Sequence, residues 1–418
     1  MTDTYDVVIA GAGPAGGQCA RDLAARNHDV LVLETEGEAE FPAQSNKSTA
    51  GTFPSTMVGF EIPDEVVMNF TDAVVLESPN RHTKRRQAGA ILEFGDFKQW
   101  LVDESRADGA EYRFDARATA PILGDDGTIE GVRYNGDEAV YADVVIDATG
   151  PAAPLAKKLG VVDLQRERQA IGIEWEMTGV QTDVEGYADL TDTMMLRLDH
   201  NDAPGGYAWI FHTGADTAKV GLCYIQNGVH SKRAKESHTV DDYLDEWMER
   251  DPRLQNAERI EGKQHRGSAH IQLPTQLHTD SFMAIGDTVP SVDPLWGEGI
   301  GKCMRSGRAA AIATDNALTH SSRDTSADAL SVYEEYWHSE VAPNQDTRLL
   351  MTELLYRASN SRYDLLMRDL EDLGADTLSN VNGGSTRAIA KLLKLRDIPE
   401  LAGFAWERFS GKWSGNPG

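Results

Sequence analysis

The sequence predicts an α/β fold: a parallel-sheet unit built round a nucleotide-type turn, an antiparallel sheet inserted into it, and a helical C-terminal region. Three observations carry this reading. Two short apolar runs flank a glycine turn near the N-terminus. Two further apolar runs, far downstream, end in small-residue turns of the same kind. Residues 165–275 change to alternating apolar and polar positions, the signature of strands buried on one face.

The first stretch is the most informative. Val7-Val8-Ile9-Ala10 and Val30-Leu31-Val32-Leu33 are too short for core helices and suit strands buried on both faces of a parallel sheet. Between them Gly11, Gly13 and Gly16 fit the pattern G-x-G-x-x-G. Gly11 permits the tight turn, Gly13 lets backbone approach a pyrophosphate, and Gly16 lets the next helix pack on the strand. Ala15 belongs to the same turn, from which the helix directs its first N–H groups at the pyrophosphate. Glu34 ends the second strand, where a carboxylate can take the ribose hydroxyls of an adenosine.

A loop of small and polar residues, 41–54, follows. Residues 56–92 read as short strands and turns, and Arg81, Lys84, Arg85 and Arg86 form a basic cluster expected on a solvated turn, with a docking patch for an acidic electron donor or lipid phosphate as the alternative. Phe97, Trp100 and Leu101 suit an amphipathic helix over 96–108. A strand at 110–114 and a hairpin at 124–127 lead to Tyr141–Ala148, a buried strand ending at Thr149-Gly150. The antiparallel region includes 170–175, 193–198, 205–211 and 218–225, with a helix at 239–250. Phe282–Ile285 then runs into Gly286-Asp287, and Gly297-Glu298-Gly299-Ile300 opens a small-residue helix to about 317. From 326 the chain reads as acidic helices, broken near Gly383-Gly384. The expected division is 1–55, 93–164 and 276–325 for the nucleotide unit, 56–92 and 165–275 for the antiparallel unit, and 326–418 for the helical region.

Composition narrows the setting. Asp and Glu number 67 against 40 Lys and Arg, for a formal charge of −27, and only 13 of the cations are lysine. High acidity with scarce lysine suits a surface hydrated in concentrated salt, where self-repulsion is screened over roughly 3 Å at 1 M. An ordinary acidic cytosolic protein is the alternative. Nucleic acid is excluded as a partner on charge. Cys19, Cys223 and Cys303 form no C-x-x-C pair, which argues against a zinc site and for a reducing compartment. No apolar run reaches the roughly 18 residues of a membrane span, and a cytoplasmic location is expected.

The three strand-to-glycine junctions, at 10–16, 148–150 and 285–287, are far apart in sequence. In a parallel sheet such strand ends share one edge, where ligands bind. One long ligand touched three times explains them better than three small ones. With no second well-placed G-x-G-x-x-G, a resident dinucleotide is indicated, which favours FAD over a diffusible nicotinamide. The helix beginning near Gly299 and Ile300 can aim its positive end at the flavin pyrimidine edge.

These residues resemble a known set. Gly11–Gly16 with Glu34, Asp147–Gly150, and Gly286-Asp287 with Pro294 and Gly297–Ile300 look like the Rossmann-like FAD-binding motifs of the p-hydroxybenzoate hydroxylase superfamily. Within it the chain resembles the geranylgeranyl reductase family, whose archaeal members saturate isoprenoid chains of membrane lipids. Gly206–Phe211 is similar to that family's Tyr-x-Trp-x-Phe-Pro signature, and Lys47–Gly51 to its Lys-x-Cys-Gly-Gly loop. Thr49 stands where the pattern has cysteine, His212 where it has proline, and Phe94 where many members have an FAD-contacting arginine.

The resemblance implies FAD contacts from Gly11, Gly13, Ala15, Gly16, Glu34, Thr49, Ala50, Gly150, Gly286, Asp287, Gly297, Gly299 and Ile300. It implies an apolar pocket lined by Tyr207, Trp209 and Phe211. Lys47 and His212 are the nearest candidate proton donors, although an isolated lysine or histidine in a loop is more often just solvated. An isoprenoid lipid substrate, an external electron donor (ferredoxin or NAD(P)H) and contact with a membrane surface are implied with it. A flavin monooxygenase or halogenase on the same scaffold, or a flavin-binding relative without chemistry, are the alternatives. Tyr207–His212 echoes the halogenase Trp-x-Trp-x-Ile-Pro motif but lacks its first Trp and its Pro.

Overall fold

The computed structural model describes residues 3–42, 49–226, 230–319 and 323–372, with isolated positions at 397, 402–403 and 406. Strand β1 (Thr4–Ala10), helix α1 (Pro14–Ala24) and strand β2 (Val30–Leu33) open the chain. Next come β3 (Gly51–Thr52), α2 (Pro54–Phe60) and the long hairpin β4 (Val67–Ser78) and β5 (Arg81–Leu92). Helix α3 (Phe94–Ala107), β6 (Glu111–Arg113), β7 (Ala118–Leu123), β8 (Ile129–Tyr134), β9 (Glu138–Asp147) and α4 (Pro154–Lys158) follow. A second run of strands comprises β10 (Gln169–Thr178), β11 (Thr193–Arg197), β12 (Gly206–Gly214) and β13 (Thr217–Ile225), then α5 (Val240–Arg250) and β14 (Glu258–His270). The short β15 (His278–Thr279) and β16 (Phe282–Ala284) precede α6 (Ile300–Thr319). Helices α7 (Ala327–Leu330), α8 (Val332–Tyr336), α9 (Gln345–Arg357) and α10 (Asn360–Glu371) complete the described chain.

These elements form two compact units, each drawn from three chain segments. The first holds Met1–Asn46, Phe94–Leu164 and Gln272–Gln345; the second holds Lys47–Glu93, Gln165–Ile271 and Asp346–Gly418. This division differs from the expected one at two places. The stretch 47–55 belongs with the second unit, because Gly51 and Thr52 pair with Ile91 and Ala90 of β5. Of the described C-terminal residues, 326–345 fall in the first unit, while α9 and α10 fall in the second.

In the first unit β16, β9, β1, β2 and β6 lie side by side and parallel. Val7–Ala10, Val30–Leu33 and Val144–Ile146 are all buried, as strands covered on both faces require. The hairpin β7–β8 extends the sheet from β9, and β15 caps β16 antiparallel. Helix α1 crosses α6 closely enough that a Cβ on Gly307 would lie 2.3 Å from the Ala15 carbonyl oxygen. The small residues of α6 exist for that crossing.

In the second unit the strand order is β14-β10-β13-β12-β11-β4-β5-β3, antiparallel except for β11 beside β4. Here 56–92 departs from the expected short strands and turns. It is one helix and a hairpin of two 12-residue strands, whose register slips at Val67/Asn69 and Thr71/Ala73. These bulges break the period-2 pattern that would have announced long strands. The basic cluster is part of β5 and not a turn: Lys84 Nζ donates to the Asp189 carbonyl at 2.8 Å and Arg85 to the Leu370 carbonyl. One face of the sheet, with Ile173, Met177, Ala208, Ile210, Ala218, Val220 and Leu222, buries itself with Tyr243, Leu244 and Trp247 of α5. Thr239 and Asp242 form a capping box at the start of that helix.

Polar anchors hold α9 and α10 to this sheet. Arg168 pairs with Glu353 at 2.8 Å, Ser78 Oγ donates to Asp364 at 2.7 Å, and the Nε2 of His200 donates to the Ala358 carbonyl at 2.7 Å. The Nδ1 of His200 accepts from the Gly205 N–H at 3.2 Å, so the ring is bonded as a neutral imidazole. Burial above all, with the charge of Arg233, pushes its pKa down to about 4, against the bond to Ala358. In the unfolded chain the ring titrates near 6.5. The folded state therefore binds fewer protons, so this contribution is complete above pH 6.5 and is lost as pH falls towards 4, for about 3 kcal/mol. Denaturant titrations across that window should show His200→Gln less stable at pH 7 but with a flatter loss of stability on acidification. Identical slopes for both proteins would remove His200 from the account.

Candidate active site

The nucleotide-type turn forms where β1 ends. Gly11 has φ +105°, and a Cβ there would lie 2.5 Å from the Ala148 carbonyl oxygen. A Cβ on Gly16 would lie 2.0 Å from the Gly11 carbonyl oxygen, so helix and strand meet backbone to backbone. Gly13, which caps α1, has nothing within 4 Å of an added Cβ. The turn is thus tight on the protein side and open on the other, a cradle with the N–H groups of α1 at its base. The carboxylate of Glu34 accepts from the N–H of Ala12 at 2.8 Å and of Glu36 at 3.0 Å. Its position beside the turn follows from Leu33 lying level with Ala10.

The other two junctions are level with the first. Asp147 is the register partner of Ala10, and Ala284 that of Asp147. Asp147 is fully buried and organises the second turn: one oxygen accepts from Thr149 N–H at 3.1 Å, the other from Leu155 at 3.1 Å and Ala156 at 2.9 Å. Gly150 N–H donates to Thr288 Oγ1 at 3.0 Å, tying the second junction to the third. Ser306 Oγ accepts from Gly286 N–H at 3.0 Å, and the Tyr333 hydroxyl joins Ser306 at 2.9 Å to the Ala284 carbonyl at 2.9 Å. Burial pushes the Asp287 carboxyl up; Cys303 Sγ is 3.7 Å from it.

The approach to α6 is built by Asp293. Its Oδ1 accepts from Leu295 at 3.0 Å and Trp296 at 3.2 Å, while its Oδ2 lies 3.7 Å from Lys302 Nζ. Gly297 N–H donates to the Asp293 carbonyl at 2.8 Å. Gly297, Gly299 and Ile300 therefore form a fixed turn into the helix, with room beside Gly299, where an added Cβ would meet only Val292 at 3.8 Å and Asp287 at 4.0 Å. Thr288, Asp293, Ser306 and Tyr333 are supporting residues that sequence reasoning did not single out, and Asp147 was placed in a motif without this bracing role. Only Asp147 carried a signal, as a charge ending an apolar strand.

The second unit carries the aromatic face. Tyr207, Trp209 and Phe211 alternate along β12 with the buried Ala208 and Ile210, so all three share the face opposite α5. Tyr207 lies 5.7 Å from Trp209 and 6.4 Å from Tyr356 of α9, centroid to centroid. Phe211 packs over Gly51, where a Cβ would come within 2.8 Å of its ring. Trp209 reaches across β13: a Cβ on Gly221 would lie 2.4 Å from its Cζ2, and its Nε1 donates to Glu174 of β10 at 2.7 Å. Lys219, fully buried on the same face, donates to the carbonyls of Thr49 at 3.3 Å and Leu92 at 3.2 Å.

Thr49 and Ala50 thus belong to the second unit and the other expected flavin contacts to the first. Ala50 adopts φ +56°, the left-handed region, at the place where the resembling pattern has glycine. His212 falls on the opposite face from Trp209. Its Nδ1 accepts from the Asp192 N–H at 3.0 Å and its Nε2 donates to the Ala215 carbonyl at 3.1 Å, which fits a turn-bracing residue and not a proton donor for the aromatic face. Lys47 lies outside the described residues.

Three level strand ends form a glycine-lined turn of the kind that accepts a nucleotide, and a separate sheet presents an aromatic face. The comparisons narrow the class. A profile described as "Geranylgeranyl reductase catalytic domain" matches residues 174–264. The chain is 68% identical over 410 residues to the digeranylgeranylglycerophospholipid reductase of Haloferax volcanii, covering 98% of this chain and 100% of that one. It is 28% identical over 409 residues to digeranylgeranylglycerophospholipid reductase 2 of Methanopyrus kandleri, covering 96% and 98%. The chain belongs to the geranylgeranyl reductase family. Among solved structures, a geranylgeranyl bacteriochlorophyll reductase-like protein from Thermoplasma acidophilum superposes with a TM-score of 0.81 at 23% identity, over 96% of this chain and 99% of that one. A halogenase solved in complex with FAD superposes with a TM-score of 0.65 at 15% identity, over 99% and 93%. These two likenesses concern the fold.

Proposed function

We propose that the protein is an FAD-dependent reductase that saturates C=C bonds in the geranylgeranyl chains of archaeal glycerophospholipids. The observation that carries this reading is the 68% identity to the Haloferax reductase along the whole chain. The cradle fits FAD: the open side of Gly13 and the N-terminus of α1 suit the pyrophosphate, and Glu34 suits the adenosine ribose. Ala15, Gly16, Gly150, Gly286 and Asp287 would continue that contact, and Gly297, Gly299 and Ile300 would meet the flavin edge. Bound and reduced, FAD supplies a hydride.

The chain's own residues bind and orient the lipid. Tyr207, Trp209 and Phe211 offer an apolar surface that shields the double bond from water. Protonation of a trisubstituted alkene at its CH carbon builds positive charge on the methyl-bearing carbon, and aromatic faces stabilise such charge, by about 0.5–2 kcal/mol each. The electron donor is external, and a membrane lipid as substrate implies contact with a membrane surface. No described helix is long and apolar enough to cross a membrane.

The test is anaerobic and in high salt. The flavin is reduced with dithionite, excess reductant is removed, and a geranylgeranyl glycerophospholipid is added. Flavin reoxidation with a gain of two hydrogens per saturated bond is the expected result. A flavin that stays reduced until oxygen enters would transfer the reading to oxygen chemistry.

A further inference from the structure

On the aromatic face the carboxylate of Glu174 has one oxygen bonded and one without a partner among the described residues. It lies on β10, is 3% exposed, and accepts from Trp209 Nε1 through Oε2 alone. Its Oε1 is buried and has no hydrogen-bond partner among the described residues. Such an atom costs about 1–3 kcal/mol unless something satisfies it. The arrangement is built, because the indole spans a whole strand to reach Glu174 and does so only over the bare backbone of Gly221.

Its neighbour Glu176, on the same face two residues on, is held differently. Lys263 Nζ lies 3.5 Å and His265 Nε2 3.7 Å from Glu176 Oε1. Burial pushes the Glu176 carboxyl up, but His265, Lys219 and Lys263 together hold it below the usual range. Among the described residues Glu174 meets only the neutral N–H of Trp209. His265 is the register partner of Glu174, and Lys263, half-exposed and 3.2 Å from Glu93, leads to solvent.

We propose that Glu174 is the general acid of the reduction, delivering a proton from its carboxyl to the alkene CH carbon held against Trp209. This rests on the reductase reading above and names its missing proton donor. The alkene π bond breaks as the Glu174 O–H proton forms a C–H bond at the CH carbon. The methyl-bearing carbon would take the hydride that reduced FAD supplies when bound, which would leave the FAD oxidised. Glu174 is left as a carboxylate and regains its proton from solvent by way of His265, Glu176 and Lys263. Protonation at the CH carbon places the positive charge on the tertiary carbon, the orientation the aromatic residues favour.

Glu174→Gln keeps an acceptor for Trp209 and nearly the same volume but carries no acidic proton. In the anaerobic single-turnover assay it should bind flavin and lipid as the wild type does and reoxidise at least ~10²-fold more slowly, the usual scale of general-acid catalysis. Glu174→Ala should be equally slow, with its rate restored in proportion to added formic acid, a rescue that a packing role cannot give. A wild-type flavin that ignores the lipid would defeat the reductase reading. A wild-type flavin that reacts, with Glu174→Gln reacting as fast, would overturn only the assignment of Glu174. Should Glu174→Ala lose its flavin, Glu174→Gln decides alone.

Discussion

Gly16→Val should purify without flavin. The Cβ of residue 16 has no direction in which to relax, since the atom it meets at 2.0 Å is the Gly11 carbonyl oxygen, part of the turn itself. A methylene forced into a packed core costs about 1–3 kcal/mol when side chains can move. Here the neighbour is backbone, so either α1 tilts off the sheet or the turn opens. Both destroy the alignment of N–H groups on the pyrophosphate. A loss of about 3 kcal/mol of binding free energy weakens affinity roughly 10²-fold. The ratio of flavin to protein absorbance after desalting reads the result directly, and a stoichiometric flavin content in the variant would show that the turn is not where the cofactor is held.

Gly221→Val should give the opposite phenotype: flavin present, lipid chemistry lost. Valine at 221 places its Cβ 2.4 Å from the Trp209 ring and 2.5 Å from the Ile173 carbonyl oxygen. The indole must swing away, breaking its bond to Glu174 and reshaping the surface offered to the isoprenoid chain. The nucleotide cradle is made of residues in the other unit and lacks any contribution from β13. Misplacing a reacting group by ~1 Å can cost about 10²-fold in rate. Reoxidation of the reduced flavin by lipid should fall by at least that, at near wild-type flavin content. Unchanged lipid turnover would remove Trp209 from the substrate surface.

The first unit was legible because parallel strands buried on both faces leave short, uniform apolar runs, and Gly11–Gly16 stands between two of them. Even the levelling of Ala10, Asp147 and Ala284 follows from three runs ending in small-residue turns. Alternation also contained the sorting of Tyr207, Trp209 and Phe211 from His212, since an even position among odd ones must face the other way. Where the pattern failed, a physical cause interfered. The hairpin β4–β5 was hidden by two register slips and by the run of cations from Arg81 to Arg86. Strand β3, two residues long, has no period to detect. That α9 docks on the second sheet through Glu353 and Arg168 is a tertiary fact with no local trace. Glu174 did leave one: two glutamates, 174 and 176, interrupt an otherwise apolar strand at a spacing that puts both on one face.

The interleaving of the units has a consequence for how the protein is made. The peptide crosses between them at residues 46/47, 93/94, 164/165, 271/272 and 345/346. Strand β1 leaves the ribosome first, yet the third strand end of its cradle, at Ala284, emerges 274 residues later (284 − 10). At about 5–20 residues per second that is roughly 14–55 s of translation with the cradle incomplete. By then every strand of the second sheet has already emerged. Cofactor capture is therefore a late event in biogenesis, and neither unit can be cut out as an uninterrupted stretch of gene.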